Sequence, residues 1–216
     1  MNDILLKGVI RDIRPSHTTK DIDYDQAHLI VKNSNGEESV IDIVFKHFTN
    51  KYKEGDLISL VGNIRTHSQK LEDGKNRIHV YVFTYFDTLP DIEQENSGIF
   101  LDNYYQLSGR ICKLGELRKF KSGKCNIQVT IANSLSNVNS SINSYVPCIA
   151  WGKLAKKLSH CNVGDEILAI GELRSREYVK NLGDNQSEIR VAHEALINTV
   201  YINDEIQEAI ERSEEE

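Results

Sequence analysis

EGDLISLVGNIRT (54–66) recurs 109 positions later as VGDEILAIGELRS (163–175). Gly55 falls over Gly164, Gly62 over Gly171 and Arg65 over Arg174. Working outward, ILLKGVIRDIR (4–14) lies over YQLSGRICKLG (105–115), with Gly8 over Gly109, and VIDIVFKHF (40–48) lies over VPCIAWGKL (146–154). Three blocks in one order are the mark of an internal duplication, and a duplicated unit fixes the architecture before any single element does.

Each copy reads as the same series of elements. Residues 3–13 and 104–114 suit a first strand, the glycine permitting the sharp bend of a small barrel. A second strand covers 27–32 and 125–133, where NIQVTIA alternates with period two, and a third covers 39–45 and 144–151. A short amphipathic helix follows, marked by Trp151, Leu154, Ala155 and Leu158 in copy two and by Phe48 and Tyr52 in copy one. Beyond the Gly-Asp turn come a fourth strand (57–67, 166–177) and a fifth (77–88, 188–202). Five strands with a helix between the third and fourth is the order of the oligonucleotide-binding (OB) fold. The expected class is therefore all-β with short helices: two tandem five-stranded Greek-key OB barrels. Their expected bounds are 1–88 and 102–202, with a linker at 89–101 and an acidic C-terminal tail at 203–216. The Asn/Ser-rich stretch NSLSNVNSSINS (133–144) reads as a mobile loop between strands two and three of copy two.

The formal charge of −6 conceals an uneven distribution. Residues 1–97 hold 12 Lys+Arg against 16 Asp+Glu, residues 98–202 hold 13 against 9, and residues 203–216 hold 1 against 7. A basic second barrel lies between an acidic first barrel and an acidic tail, and such distributions bear on partners more than the sum does. Cys112, Cys125, Cys148 and Cys161 form no C-x-x-C pair and read as small core residues in a reducing compartment. The seven histidines show no metal spacing, and no phosphate loop, H-E-x-x-H or G-x-S-x-G occurs. No enzyme, metal or cofactor is expected. With no apolar run of membrane-spanning length and no secretory leader, the expected location is the cytoplasm.

The second copy resembles bacterial and phage single-stranded-DNA-binding proteins. The matching segments are NYYQLSGRI (103–111), the basic turn KSGK (121–124), VPCIAWGKLAKKL (146–158), VGDEILAIGELRSREY (163–178) and IRVAHEALINTVYI (189–202). The first copy matches only in outline. A binder of this kind needs cations along a groove and flat aromatic faces on which bases stack. The resemblance places the stacking positions on Tyr145, Trp151 and Tyr178, although Trp151, at the helix start, reads equally as a core plug. The charge pattern supplies Arg110, Lys113, Arg118, Lys119, Lys121 and Lys124 around the first hairpin, opposed only by Glu116, with Lys153, Arg174, Arg176 and Lys180 elsewhere. Lys156 and Lys157 read as solvent-facing helix residues.

Copy one departs from this pattern. The blockwise match puts Ser39, Phe45 and Gln69 over Tyr145, Trp151 and Tyr178, while Arg65 and Lys70 remain as candidate contacts. Its last strand, HVYVFTYF (79–86), places Tyr81, Phe83 and Tyr85 on one face, with Val80, Val82 and Phe86 largely opposite. One face must be core, and the other reads as a barrel-to-barrel contact, with a platform for bases as the alternative. In the tail, Asn203 suits a helix N-cap and Ile202, Ile206 and Ile210 form an apolar stripe. Relatives end in a Pro-Phe hook that recruits replication and repair enzymes, whereas this sequence reads Glu214-Glu215-Glu216. A tail of this charge either keeps the chain soluble or folds onto the basic groove and competes with DNA.

The expected function is sequence-nonspecific binding of single-stranded DNA in replication, recombination or repair, phage or plasmid metabolism included. The expected assembly is a homodimer of four barrels, with replication proteins as possible partners of the tail and no membrane partner. The alternative is an OB-fold protein–protein adaptor with weak nucleic-acid binding. An RNA-binding module is a third reading.

Overall fold

The computed structural model describes residues 1–47, 52–70, 74, 76–87, 102–137, 140–183 and 186–214. In copy one the strands are β1 (Asn2–Thr19), β2 (Ile22–Lys32), β3 (Glu38–Lys46), β4 (Leu57–Lys70) and β5 (Asn76–Asp87). Copy two has β6 (Asn103–Leu114), β7 (Arg118–Lys119), β8 (Cys125–Asn137), β9 (Ser140–Trp151), helix α1 (Gly152–Leu158), β10 (Glu166–Gly183) and β11 (Gln186–Ile202), followed by helix α2 (Asp204–Glu214).

Each copy closes on itself. β1 pairs with β2 and β4, β2 with β3, β4 with β5, and a short parallel pairing of Ile43 and Val44 with Val82 and Phe83 seals the first barrel. β6, β8, β9, β11 and β10 repeat the circuit, sealed by Cys148 and Ile149 beside Ala195 and Leu196. Alternation supplies the cores: Ile4, Leu6 and Ile10 of β1, and Val146, Cys148 and Ala150 of β9, point inward and are buried. The shared glycines mark close approaches of neighbouring strands. A Cβ on Gly8 or Gly109 would lie 2.3 or 2.2 Å from the carbonyl oxygen of Ile30 or Ala132. On Gly171 it would lie 1.8 Å from that of Leu196.

Several strands run beyond their expected ends, because polar hairpin arms are held by ladder hydrogen bonds rather than by an apolar pattern. The clearest case is the Asn/Ser-rich stretch expected to be a loop. β8 and β9 continue through it, pairing Asn133 with Ser144 and Asn137 with Ser140. The helix expected around Phe48 and Tyr52 falls mostly on 48–51, outside the described residues. Tyr52 itself is not helical and packs edge-on against Phe45, with ring centroids 5.4 Å apart. The expected linker at 89–101 also lies outside the described residues. Of the cysteines, Cys125 and Cys148 are core residues and Cys161 is half-buried, but Cys112 is exposed and its thiol donates to the Thr130 carbonyl. Among the described residues no helix is long and apolar enough to cross a membrane.

The barrels join along their first strands, where β1 and β6 run antiparallel with Ile4 opposite Tyr105, making one continuous eleven-stranded sheet. Asn2 and Asn103 close the two ends of this seam in the same way. Where β1 leaves β4, the Asn2 side chain stands in for the missing backbone pair: Oδ1 accepts from Ile64 N at 2.9 Å and Nδ2 donates to Ile64 O at 2.8 Å. Asn103 does the same to Leu173, at 2.9 and 2.7 Å. Each Nδ2 also donates across the seam, Asn2 to Asn133 Oδ1 (3.0 Å) and Asn103 to Asn33 Oδ1 (3.1 Å). Further out, Val40 N donates to Ser175 Oγ and Tyr145 N to Thr66 Oγ1, both at 2.8 Å. Of β5, Val80 and Val82 are core, while Tyr81 and Phe83 face outward around Arg65. The Phe86 side chain is outside the described residues.

Glu172 breaks the symmetry of the seam. It is 2% exposed and accepts from Ser34 N of the first barrel (3.0 Å) and from Arg174 Nε and Nη2 (3.0 and 2.8 Å). Burial alone would raise its pKa, but the Ser34 and Arg174 hydrogen bonds outweigh it and hold the carboxyl below its ordinary value. Its stabilisation is therefore complete above the unfolded carboxyl range and lost as pH falls through the lowered folded value. Glu172→Gln is expected to cost about 1.5–3 kcal/mol at pH 7 in urea melts, the range for hydrogen bonds to a charged group. It should also flatten the loss of stability below about pH 4.3, the ordinary glutamate value; an unchanged acid profile would refute this assignment. Asn103→Ala leaves the Leu173 amide unpaired in a buried setting and should lower stability by about 1–3 kcal/mol in the same melts.

Candidate nucleic-acid interface

β9 sorts its side chains by parity, so that with Val146, Cys148 and Ala150 inward, Tyr145, Pro147, Ile149 and Trp151 face out. The ladders carry this outward face across the barrel. Ile149 lies beside Leu196, which is opposite Glu172, and from there Arg174, Arg176, Tyr178 and Lys180 alternate outward along β10. On the other side Trp151 is opposite Asn126, itself opposite Arg118 of β7. Tyr145, Trp151 and Tyr178 therefore share one face, at 50%, 42% and 36% exposure. Trp151 sits at the N-cap of α1 with extended backbone, and the helix buries Ala155 and Leu158 without it. Trp151 is a surface ring, not a core plug.

The basic hairpin brings a fourth ring that the sequence reading passed over. Phe120 heads the turn after β7, where Phe120 N donates to Lys124 O and Gly123 N to Phe120 O. It is 45% exposed and stacks on Trp151, with centroids 5.8 Å apart and planes 23° from parallel. Its signal was an aromatic interleaved in the basic run RKFKSGK (118–124), the composition of a stacking site for a polyanion.

The cations divide into two groups. Lys113, Arg118, Lys119, Lys121, Lys124 and Lys153 are exposed, and none has an ion pair among the described residues. The arginines are already engaged. Arg110 is held by Glu166 and the Gly164 carbonyl, Arg174 by Glu172, and Arg176 by Glu194 at 3.2 Å. Arg176 also lies 5.8 Å from the centre of the Tyr178 ring. Lys180 lies opposite Glu188 near the hairpin tip. Free cations thus gather beside Trp151 and Phe120, while the β10 arginines stiffen the arm that carries Tyr178. Arg65 and Lys70 do not join this cluster, since both belong to β4 of the first barrel.

The strand registers correct the matching of the two copies. Gly8 abuts Ile30 and Gly109 abuts Ala132, and the residues opposite these are Val40 and Tyr145. The counterparts of Tyr145 and Trp151 are thus Val40 and Lys46, one position beyond Ser39 and Phe45. Phe45 is buried and Ser39 lies in the seam, where its hydroxyl accepts from Ser175 N. The counterpart of Tyr178 remains Gln69, opposite Arg77 as Tyr178 is opposite Arg190.

The tail anchors away from β7. Glu205 of α2 accepts from Lys157 of α1 at 2.6 Å and from Ile202 N at 3.0 Å, so Lys157 is not the free surface lysine expected of it.

Comparison with known proteins agrees with this geometry. Two solved structures similar to the chain are the wild-type single-stranded DNA binding protein of Thermus aquaticus and a deletion mutant of it. Each is 17% identical with a TM-score of 0.66 over 93% of this chain, covering 92% and 93% of the respective Thermus chains. That likeness, spanning both barrels, establishes the tandem OB fold. No curated protein matches the chain by sequence. The model of the Single-strand binding protein family matches residues 102–199, so it is the second barrel, the one that carries the exposed rings and free lysines, that is similar to this family.

Proposed function

We propose that the chain is a non-catalytic coat for single-stranded DNA, holding it without regard to base order on the outward face of the second barrel. The observation that carries this reading is the stacked Trp151–Phe120 pair beside the unpaired cations of the β7–β8 hairpin, with Tyr145 and Tyr178 on the same face. Every base has a flat face, so stacking is indifferent to sequence, and lysines without carboxylate partners displace the counterions of the phosphates. The description of the family that matches the second barrel names single-strand binding, and the setting proposed for this chain is replication, recombination or repair. The adaptor reading draws on α2, whose acidic first turn (Asp204, Glu205) is a surface for a basic partner, but α2 leaves the ring face open by anchoring on Lys157.

Oligo(dT) titrations monitored by Trp151 fluorescence test the reading. Binding should weaken steeply with salt. Trp151→Ala and Tyr178→Ala should each cost about 1–3 kcal/mol of affinity, scored for the tryptophan variant by anisotropy of labelled oligonucleotide. Equal affinity for duplex and single strand would overturn it.

Two chains would place four barrels together, as related single-strand binders commonly do. Val179, Ile189 and Val191 are exposed side by side on the β10–β11 hairpin and offer apolar surface for such pairing. Light scattering should return twice the chain mass at micromolar concentration, and a monomer there would refute the dimer.

A further inference from the structure

Asn126 has the outward parity of β8, between the core residues Cys125 and Ile127, yet it is only 8% exposed. Its Oδ1 is buried with no hydrogen-bond partner among the described residues. Directly opposite it stand Trp151 of β9 on one side and Arg118 of β7 on the other. The first is a stacking ring, and the second is an exposed cation with no ion pair among the described residues. Phe120 lies on Trp151 much as a base would, with centroids 5.8 Å apart. The registers that set Glu172 over Asn63 also set Asn126 over Tyr24. There the first barrel holds a ring, stacked on His17 at 4.8 Å and lying 5.6 Å from Phe83. The second barrel keeps an amide instead. A buried carbonyl without a partner weakens the fold, and a leucine of similar size would remove that penalty. An orphaned acceptor between a base platform and a free cation points to the part of a nucleotide that neither of them touches, the edge of its base.

We propose that Asn126 tests whether a base is unpaired, its side-chain amide bonding to the Watson–Crick edge of the nucleotide stacked on Trp151. The inference rests on the single-strand reading of this face and supplies a reason for its selectivity. A side-chain amide carries an acceptor beside a donor, and it presents either order when turned over. The Watson–Crick edge of every base likewise offers an N–H beside a carbonyl oxygen or a ring nitrogen. One amide therefore meets any of the four bases, and the contact reads no sequence. In a duplex the same edge groups are spent on the complementary strand, and nothing is left for Asn126. The lysines of the basic hairpin meet the phosphates of a duplex as readily as those of a single strand, whereas Asn126 does not. Because Asn126 is covered, the base reaches it by taking the place of the Phe120 ring. That ring stands at the head of a turn and swings aside while its backbone keeps the hydrogen bonds to Lys124 and Gly123.

The full chain is titrated with oligo(dT) of about 15 nucleotides, near one OB site size, and with the same length of N3-methylthymidine. The methylated strand keeps its rings and phosphates but has lost the N–H of the base edge. Anisotropy of labelled oligonucleotide reads affinity, while quenching of Trp151, the one tryptophan of the chain, reports the second barrel. The unmodified chain should bind the methylated strand about fivefold more weakly, the effect of one lost hydrogen bond. Asn126→Leu should bind both strands alike, near the weaker of those affinities. Equal affinity of the unmodified chain for the two strands overturns the proposal, and so does a folded Asn126→Leu that keeps the preference. Should Asn126→Leu fail to fold, Asn126→Ala is scored on the same two strands by the same rule. Absence of Trp151 quenching by oligo(dT) is a separate result, overturning the second-barrel reading on which this one rests. Quenching by both strands with equal midpoints sinks only the base-edge contact.

Discussion

Two side-chain amides hold the molecule's plan together. Where β1 and β6 peel away from their own barrels to pair with each other, β4 and β10 are left with a residue whose N–H and C=O have lost their ladder partner. A buried unpaired backbone group costs about 1–3 kcal/mol, so the departure is tolerated only if something replaces the missing strand. Asn2 and Asn103 do so, each presenting an acceptor and a donor to Ile64 or Leu173 as a strand would, and each spending the spare proton on an asparagine of the opposite barrel. Barrel closure and barrel joining are thus compatible at the same strand.

From that joint follows the layout of the functional face. With β6 committed to the seam and α1 capping the core, β8, β9, β10 and β11 present their second faces to solvent. Strict alternation then sets the rings of Tyr145, Trp151 and Tyr178 outward without special local structure. The hairpin arms extend that surface beyond the barrel, and the ion pairs of Arg174 and Arg176 brace one arm. The cations of the other arm have no ion pair among the described residues and stand ready for phosphates.

The duplication, the strand order and the basic second barrel were legible because each is written in short-range patterns: period-two alternation, repeated glycines, a run of lysines. Other features escaped for physical reasons. Matching the copies block by block laid Phe45 on Trp151, but strand pairing puts Phe45 in the core and Lys46 at that site. The Asn/Ser-rich stretch looked like a loop because its strands are held by hydrogen bonds that composition does not report. Phe120 was passed over because a two-residue strand and its turn leave no periodic trace. The seam asparagines, buried and essential to the join, look in sequence like any polar residue at a strand start, since their partners lie 62 to 131 positions away.

The position shared by Asn63 and Glu172 has a wider consequence. A dimer of identical subunits writes both halves with one gene segment, so any residue that suits one side is imposed on the other. Fusing the halves into one polypeptide removes that obligation. Here one half holds a carboxylate that clamps its arginine, and the other an amide, its arginine lying instead on the Phe83 ring. The two halves are free to diverge in task while the join between them, enforced by covalent tethering, never dissociates on dilution.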